Sequence, residues 1–215
     1  MIDLPPSTPR FPLSGAVLAG GRARRFGGQD KTQLKVGQQS LLTRTLAILD
    51  SFCAETMISS NTLPQLEGRR VIADRQKGQG PLGAIYSCLL AASHPHLLIV
   101  AGDMPFITAA ALTKLWYEKE DFDVILPQSP DGLQPLAGIY KQSCIAGIGR
   151  QLQNNNFKIR GFFAEVRVKV VTCSDFPDIY PDNTFLNINS PDDLQRAFAL
   201  YRKTEPQINR LNFLP

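Results

Sequence analysis

The sequence predicts an α/β fold, in which a Rossmann-like, mostly parallel sheet carries helices on both faces. From residue 14 to residue 126, short apolar runs alternate with stretches whose apolar residues recur at helical spacing, a pattern typical of a parallel sheet joined by crossover helices. Several runs are unbroken, as in 97–101, and unbroken runs indicate strands buried on both faces. Two runs end at Gly20 and Asp74, and open sheets of this class bind ligands at the carboxyl ends of their strands.

The local pattern predicts both strands and helices along the whole chain. The predicted strands cover residues 14–19, 56–59, 71–73, 97–101, 123–126, 136–140 and 166–172. The predicted helices cover residues 40–52, 81–92, 109–118 and 193–202.

The residues that begin and end each element support this assignment. The first strand is an apolar run that stops at Gly20-Gly21, and the first helix has four leucines at helical spacing. The second and third strands are short apolar runs, of which the third ends at Asp74. The second helix begins with Pro81, because proline favours the first helical position. The fourth strand is fully apolar and stops at Gly102.

One more helix and one more strand continue the alternation, and the pattern changes beyond Pro127. A helical and polar stretch, residues 141–161, separates the last two predicted strands. The best start signal for the last helix is Ser190-Pro191-Asp192. We therefore predict one mixed α/β domain over residues 14–203, between a proline-rich arm (1–13) and a tail (204–215).

Composition and charge exclude several classes of protein. The formal net charge of +4 is too small to indicate a nucleic-acid partner, although it suits a polyanionic small molecule. No stretch approaches the ~18 apolar residues of a membrane span, and residues 1–12 lack the apolar core of a signal peptide. The four cysteines lie far apart with no C-x-x-C pair, which argues against a disulfide or zinc framework. We expect a cytoplasmic protein that binds neither nucleic acid nor membrane.

The loop after the first strand has the features of a phosphate-binding site. It reads Leu18-Ala19-Gly20-Gly21-Arg22-Ala23-Arg24-Arg25-Phe26-Gly27-Gly28-Gln29-Asp30-Lys31. The glycines let successive backbone N–H groups form a concave anion site, and the arginines and the lysine add positive charge beside it. A Walker motif is absent from the sequence. The alternative is a solvated basic loop, but glycine pairs and cations directly after a buried strand favour phosphate binding.

Asp103 is the candidate metal ligand. It follows the fully apolar fourth strand in the run Gly102-Asp103-Met104-Pro105. Mg²⁺ keeps several waters and binds through one or two carboxylates plus substrate phosphates, so a single well-positioned aspartate is sufficient. The alternative is that Asp103 caps the helix that begins near Thr108, or the turn at Pro105. The phosphate-binding loop favours the metal role.

A second glycine cluster allows a different kind of site. Asp74 precedes Gly78-Gln79-Gly80-Pro81-Leu82-Gly83, which matches G-x-G-x-x-G and opens a helix. This motif predicts a dinucleotide site, and hence an NAD(P)-binding oxidoreductase, as an alternative. Residues 74–77 separate the strand from the first glycine, where a Rossmann turn is tight. Gly80 and Gly83 could instead bring the start of the helix close to a base or sugar.

Together these segments resemble the nucleotidyltransferases that act on sugar phosphates and cofactors. The resemblance rests on residues 18–31, 72–74, 80–83, 102–106, 134–137 and 185–191. The segment Phe185-Leu186-Asn187-Ile188-Asn189-Ser190-Pro191 is similar to the molybdenum cofactor guanylyltransferase branch. The chain departs from that family at Ser59-Ser60-Asn61, where relatives often carry more asparagine, and at Ala84, where they carry glycine. The resembling segments span roughly residues 14–202.

The resemblance implies roles for individual residues. The nucleotide would be held by Leu18, Ala19, Gly20, Gly21, Lys31, Asn61, Asp74, Gly80, Pro81, Gly83 and Asp103. Among these, Asp74 would lie near the base or ribose, Asp103 would bind Mg²⁺, and Lys31 would contact phosphates together with Arg25. Lys31, Arg25 and Asp103 are the implied catalytic residues. The pterin substrate would contact Asn187 and Asn189, and Gln134 is assigned to the same side.

The resemblance also implies a reaction and a fold type. The fold is of the nucleotide-diphospho-sugar transferase type, and the reaction transfers GMP from GTP to the terminal phosphate of molybdopterin, with Mg²⁺ as cofactor and pyrophosphate as product. Handover contacts with other proteins of cofactor biosynthesis are a further implication. The alternatives are a cytidylyl- or uridylyltransferase acting on another cofactor or sugar phosphate, a nucleotide-binding regulator without catalysis, and the NAD(P)-binding oxidoreductase.

Overall fold

The computed structural model describes residues 10–20, 34–63, 66 and 68–211. In chain order the strands are β1 (Phe11–Leu18), β2 (Lys35–Val36), β3 (Gln39–Ser40), β4 (Cys53–Ser59), β5 (Arg70–Ile72), β6 (His96–Ala101), β7 (Val124–Ser129), β8 (Gly132–Leu133), β9 (Ala137–Lys141) and β10 (Val168–Thr172). The α-helices are α1 (Leu41–Asp50), α2 (Gly80–Ala91), α3 (Ala109–Tyr117), α4 (Cys144–Gln153) and α5 (Pro191–Leu211). Two 3₁₀ helices cover Ile159–Glu165 and Cys173–Asp175.

The main sheet has the strand order β10-β7-β9-β6-β1-β4-β5, and β8 pairs with β7 outside this path. The pairs β1–β4, β1–β6, β4–β5 and β7–β10 are parallel, whereas β9 is antiparallel to both of its neighbours. The chain moves outward from β1 through β4 to β5, and then returns through α2 to β6 on the other side of β1. The strand order therefore reverses between β1 and β6, and a reversal of this kind opens a crevice at the carboxyl ends of the two strands.

Helices cover both faces of this sheet. Apolar side chains of α1 and α3 pack on one face, and those of α2 and α4 pack on the other. The unbroken run of β6 supplies both cores, because Leu98 and Val100 point to the first face while Leu97 and Ile99 point to the second. The predicted fold class, a mostly parallel sheet with helices on both faces, is confirmed.

Local signals in the sequence explain where the helices begin. Ser40 accepts a hydrogen bond from the Thr43 N–H at 3.1 Å and caps α1. Pro81 lies in the first turn of α2, as predicted. The α5 helix begins directly after Ser190, as the Ser190-Pro191-Asp192 signal predicts.

A third, smaller group of buried residues lies apart from the two main cores. It consists of Val36, Leu41, Phe106, Ile188 and Ala197, and we call it the third cluster. Its members come from the β2–β3 hairpin, from α1, from the segment after β6, from the segment before α5 and from α5 itself. This cluster therefore joins parts of the chain that are distant in the sequence.

The bounds of the outer elements differ from the predicted ones. The β1 strand begins at Phe11, inside the predicted arm, because Phe11 pairs with Cys53 and its ring stacks on Trp116 at 5.3 Å between centroids. The α5 helix continues to Leu211, past its predicted end at residue 202 and into the predicted tail. The two-residue strands β2, β3 and β8 were not predicted, since strands this short show no periodicity. Over the described part of the chain, no helix is both long and apolar enough to cross a membrane.

Candidate active site

The carboxyl ends of β1, β4 and β6 meet at the crevice where the strand order reverses. The Gly102 N–H donates to the Leu18 carbonyl oxygen at 3.0 Å, and the Ala19 N–H donates to the Ser59 carbonyl oxygen at 2.9 Å. The start of the predicted phosphate loop therefore lies beside the strand end that carries Asp103. Of the predicted backbone contacts, Leu18 and Ala19 lie against these neighbours, and Gly20 is exposed.

The rest of the predicted phosphate loop lies outside the described residues. This applies to Gly21, Arg25 and Lys31, whose roles stay predictions. The description resumes at Leu34, whose carbonyl oxygen accepts a hydrogen bond from the Leu41 N–H at 2.9 Å.

Asn61 and Asp74 lie together at the ends of β4 and β5. The Asn61 Nδ2 donates to Asp74 Oδ2 at 2.6 Å, and the Asp74 N–H donates to Asn61 Oδ1 at 2.9 Å. Asn61 is exposed and Asp74 is half-buried. Two residues predicted for the nucleotide side therefore form one polar unit at the rim of the crevice.

The first turn of α2 follows this polar unit in the sequence. Gly80 and Pro81 are exposed there. Gly83 is buried against the side chain of Gln79, since a Cβ atom built on Gly83 would lie 2.7 Å from the Gln79 Cβ. The absence of a side chain at residue 83 is therefore explained by packing within the protein, which the sequence alone did not reveal.

The position of this glycine cluster argues against a dinucleotide site. Its strand, β5, is the last in the sheet order, next to β4, among the strands that the structure describes. Residues 73–79 separate the end of β5 from the start of α2. A dinucleotide-binding glycine turn is tight and lies at the point where the strand order reverses. In this fold that point lies between β1 and β6.

Asp103 is not the cap of α3. The side chain of Thr108 accepts the hydrogen bond from the Ala111 N–H at 3.1 Å and caps that helix. The backbone carbonyl of Asp103 accepts a hydrogen bond from the Ile188 N–H at 2.9 Å. Asp103 is half-buried at the reversal point of the sheet. The Thr108 cap excludes the helix-cap alternative for Asp103, whereas the other alternative, the turn at Pro105, stays a prediction.

The Ile188 contact brings the predicted acceptor residues beside Asp103. Asn187 is half-buried and donates from Nδ2 to the Phe185 carbonyl oxygen at 3.2 Å, whereas Asn189 is exposed. The Asn189 N–H donates to Asp193 Oδ2 at 2.9 Å, in the first turn of α5. Both asparagines therefore lie on a short segment that is hydrogen-bonded to Asp103, the candidate metal ligand, and to the first turn of α5.

Gln134 directly follows β8, which forms a hairpin with β7. Its Nε2 donates to Ser129 Oγ at 2.9 Å and lies 3.3 Å from the Gly132 carbonyl oxygen. The neighbouring Leu136 accepts a hydrogen bond from the Ala101 N–H at 2.8 Å, so this segment runs alongside the end of β6. Gln134 therefore lies on the same edge of the sheet as Asp103.

A cavity of about 210 Å³ opens next to these acceptor candidates. It lies at the carboxyl ends of β7 and β10, and its lining consists of Ser129, Pro130, Cys173, Ser174, Pro177, Tyr180, Pro181, Asp182 and Phe185. Two lining residues bond to predicted acceptor residues, since Ser129 accepts from Gln134 and Phe185 accepts from Asn187. This cavity was not predicted from the sequence, although Ser129 ends β7 and Pro130 follows it, the position at which such sites are expected.

The described residues fit a metal that is completed by its substrate. Within the described ranges, no three acidic, histidine or cysteine side chains form a metal site by themselves. Mg²⁺ is commonly bound by one or two carboxylates together with substrate phosphates. The single carboxylate of Asp103, beside the start of the predicted phosphate loop, has the oxygen chemistry for that mode.

The cysteines are unsuited to act as nucleophiles. All four are buried and free. Burial raises the pKa of the Cys88 thiol to about 12 and that of Cys173, which lines the cavity, to about 11. The thiolate is the nucleophilic form, so these groups are protonated and unreactive at neutral pH.

The chain is similar in sequence and in fold to known proteins. The profile of the MobA-like NTP transferase domain matches residues 15–170. A probable molybdenum cofactor guanylyltransferase of Pelotomaculum thermopropionicum is 35% identical over 187 residues, which cover 86% of this chain and 91% of the relative. A molybdenum cofactor guanylyltransferase of Desulfosudis oleivorans is 31% identical over 191 residues, covering 87% and 95%.

Solved structures share the fold over most of their length. Molybdopterin-guanine dinucleotide biosynthesis protein A of Archaeoglobus fulgidus superposes with a TM-score of 0.76 at 27% identity, covering 88% of this chain and 99% of that one. The 2-C-methyl-D-erythritol 4-phosphate cytidylyltransferase of Thermus thermophilus shares only the fold, with a TM-score of 0.64 at 17% identity, covering 87% and 98%. The predicted fold type is thereby confirmed. The chain belongs to the MobA-like NTP transferase family and is a nucleotidyltransferase of the molybdenum cofactor guanylyltransferase type.

Proposed function

We propose that this nucleotidyltransferase transfers GMP from GTP to the terminal phosphate of molybdopterin and releases pyrophosphate, in a reaction that requires Mg²⁺. The names of relatives at 35% and 31% identity support this substrate pair. The observation that carries the proposal is the 3.0 Å hydrogen bond from Gly102 to Leu18. It joins the strand end that precedes the phosphate loop to the strand end that carries Asp103.

The nucleotide half of the site follows from groups at the ends of β1, β4 and β5. Backbone groups of residues 18–21 would hold the nucleotide, and the first turn of α2, where Gly80 and Pro81 are exposed, would contact it as well. Asp74 Oδ2 is held by Asn61 at 2.6 Å, and an ionised carboxylate has about four acceptor positions, so it retains capacity for a ligand's donors. Guanine carries a ring N–H and an amino group as donors, which suits an acceptor at this rim.

The acceptor half follows from the segment that contacts Asp103. Asn187, Asn189 and Gln134 would contact the pterin, and the adjoining cavity would take part of the same molecule. Its volume of about 210 Å³ is below the ~300–1,000 Å³ of sites that enclose a drug-sized ligand. A cavity of this size suits one ring system and leaves the acceptor phosphate outside it, toward Asp103.

The chemistry requires charge stabilisation rather than a protein nucleophile. A phosphate oxygen of molybdopterin attacks the α-phosphorus of GTP, a new P–O bond forms, and the bond to the leaving pyrophosphate breaks. Arg25 and Lys31 would neutralise the charge that builds on the leaving group. Mg²⁺, held by Asp103, would supply Lewis-acid stabilisation of the phosphate oxygens. Positioning and electrostatics of this kind can provide most of the rate enhancement.

Pyrophosphate release tests the proposal directly. The purified protein is assayed with Mg²⁺ and molybdopterin, and with GTP, CTP, UTP or ATP in turn. We expect release with GTP that depends on both molybdopterin and Mg²⁺. Equal rates with GTP and CTP would overturn the guanylyl assignment, and nucleotide binding without release would identify a regulator instead.

A further inference from the structure

We infer that the third cluster is the positioning element of the transfer site. Its positioning residues are Ile188, a member of the cluster, and Tyr201, which packs against it. The cluster would hold the Asp103 strand end, the Asn187–Asn189 segment and the β2–β3 hairpin in one fixed relation. This inference rests on the proposed function for its kinetic consequences, whereas its structural content can be tested without substrate.

Ile188 provides the first link in this element. Its side chain is fully buried in the third cluster, although the adjoining Asn189 is exposed. Its backbone N–H donates to the Asp103 carbonyl oxygen at 2.9 Å. Phe106, which follows Asp103 by three residues, packs in the same cluster. The Ile188 backbone bond and the packing of Ile188 with Phe106 in the third cluster therefore hold the Asp103 segment and the acceptor segment together.

Tyr201 provides the second link, on α5. A Cβ atom built on Gly37, in the turn of the β2–β3 hairpin, would lie 2.7 Å from the Tyr201 Oη and 2.8 Å from its Cζ. Gly37 has a φ of +78°, so both the turn and the close approach of the ring require glycine. Arg44 of α1 lies over the same ring, 5.9 Å from its centroid. The Tyr201 ring therefore packs α5 against the β2–β3 hairpin.

The hairpin connects this packing to the predicted phosphate loop. Lys31 shortly precedes the hairpin in the sequence, and Val36 of the hairpin is buried in the third cluster. The cluster thus contains Val36, from the segment after the predicted phosphate loop, and Ile188, from the predicted acceptor segment. Because protein interiors are close-packed, a change at one position is transmitted to its neighbours. Transfer reactions are sensitive to such changes, since a displacement of about 1 Å can lower the rate by about 100-fold.

The test compares two variants with matched controls. Ile188→Ala truncates a fully buried isoleucine of the third cluster, and Ile148→Ala truncates an equally buried isoleucine in α4, within the second main core. Tyr201→Ala removes the ring at Gly37, and Tyr117→Ala removes a tyrosine on α3 that is 67% exposed. Hydrogen–deuterium exchange is measured without substrate, followed by the Kd for GTP with Mg²⁺ and by kcat and KM for molybdopterin.

We expect Ile188→Ala to speed exchange at residues 34–40, 102–106 and 186–189 together, and to lower kcat by about tenfold or more at temperatures where the variant is folded. Tyr201→Ala is expected to raise the Kd for GTP by about tenfold, because the β2–β3 hairpin, which follows Lys31 in the sequence, loses its packing against α5. Ile148→Ala and Tyr117→Ala should leave these constants within about twofold of wild type, although Ile148→Ala loses stability.

Faster exchange confined to residues 186–189 in Ile188→Ala would overturn the inference. The same holds if Ile148→Ala lowers kcat as much as Ile188→Ala does. The two proposals fail in different ways. If the wild-type protein releases no pyrophosphate from GTP, the proposed function is wrong, and the substrate-free exchange pattern still decides whether the cluster couples the three segments.

Discussion

Asn61 and Asp74 exchange two hydrogen bonds across the ends of neighbouring strands β4 and β5. The Asn61 Nδ2 donates to Asp74 Oδ2 at 2.6 Å, and the Asp74 N–H donates to Asn61 Oδ1 at 2.9 Å. Each residue thereby orients the other at the rim of the site. A nucleotide bound at Asp74, as proposed, would meet a carboxylate whose direction is already fixed, and such pre-organisation reduces the cost of binding.

Replacing Asp74 should weaken GTP binding selectively. We expect Asp74→Asn to raise the Kd for GTP by about tenfold or more, since a hydrogen bond to a charged group contributes ~1.5–3 kcal/mol. Calorimetric titration with GTP and Mg²⁺ measures the change. Asp121→Asn, an exposed aspartate before β7, is the control and should bind normally. Unchanged GTP affinity in Asp74→Asn would remove Asp74 from the nucleotide site.

Replacing Asp103 should abolish most of the activity and leave the protein folded. We expect Asp103→Ala to lower turnover by about 100-fold or more, the usual effect of removing one key electrostatic group. The rate of pyrophosphate release under saturating Mg²⁺ is the measurement, and the thermal midpoint checks that the variant is folded. A wild-type rate in Asp103→Ala would show that this carboxylate does not hold the metal.

Replacing the two asparagines before α5 should affect the acceptor alone. We expect Asn187→Ala and Asn189→Ala each to raise KM for molybdopterin by about tenfold, while the Kd for GTP stays at the wild-type value. Asn154→Ala, an exposed residue at the end of α4, is the matched control. If the Kd for GTP rises and KM for molybdopterin does not, these residues belong to the nucleotide side instead.

The start of α5 depends on a reciprocal cap. The Asp193 N–H donates to Ser190 Oγ at 3.2 Å, and the Ser190 N–H donates to Asp193 Oδ2 at 2.8 Å. We expect Ser190→Ala to lower the free energy of unfolding by about 1 kcal/mol, the typical contribution of such a cap. Urea titration followed by circular dichroism measures this loss. Ser190→Thr retains the hydroxyl and should lose much less, so equal losses in both variants would contradict the cap.

Asp123 should contribute to the stability of the fold at neutral pH and lose this contribution in acid. Its pKa is lowered chiefly by the hydrogen bond from Ser143 Oγ at 2.7 Å, against an opposing effect of burial, and also by the Arg167 N–H at 2.9 Å and by nearby cations. A carboxyl whose pKa is lowered on folding adds stability above its unfolded pKa of ~3.9 and loses that contribution as the pH falls through the folded value.

We therefore expect Asp123→Asn to have a lower thermal midpoint than the wild type at pH 7. The difference between the two midpoints should narrow as the pH falls below about 4. Thermal denaturation from pH 7 to pH 3 measures the gap. Asp131→Asn replaces an exposed aspartate between β7 and β8 and should show no comparable gap. A difference between Asp123→Asn and wild type that is constant over this range would exclude the titration of Asp123 as its cause.

Much of this fold is encoded by short-range patterns, which the sequence reveals by itself. The unbroken apolar run of β6 predicted a strand buried on both faces, and Pro81 and Ser190 predicted the starts of α2 and α5. These signals depend on the conformational preferences of residues that are neighbours in the sequence, so they can be recognised without knowledge of the tertiary structure. Asp74 and Asp103 could also be selected as candidate site residues from the sequence, because a polar residue at the end of an apolar strand is a local feature.

Only the tertiary structure decided which of these residues meet. Asn61 lies beside Asp74, Asn187 lies close to Asp103, and Ile188 shares a core with Phe106, and none of these relations follows from spacing along the chain. The reversal of strand order between β1 and β6 brings the strand ends together, and this reversal is a property of long-range pairing. The physical reason is that periodicity reports which side of an element is buried, whereas the partner on that side is selected by the packing of the whole chain.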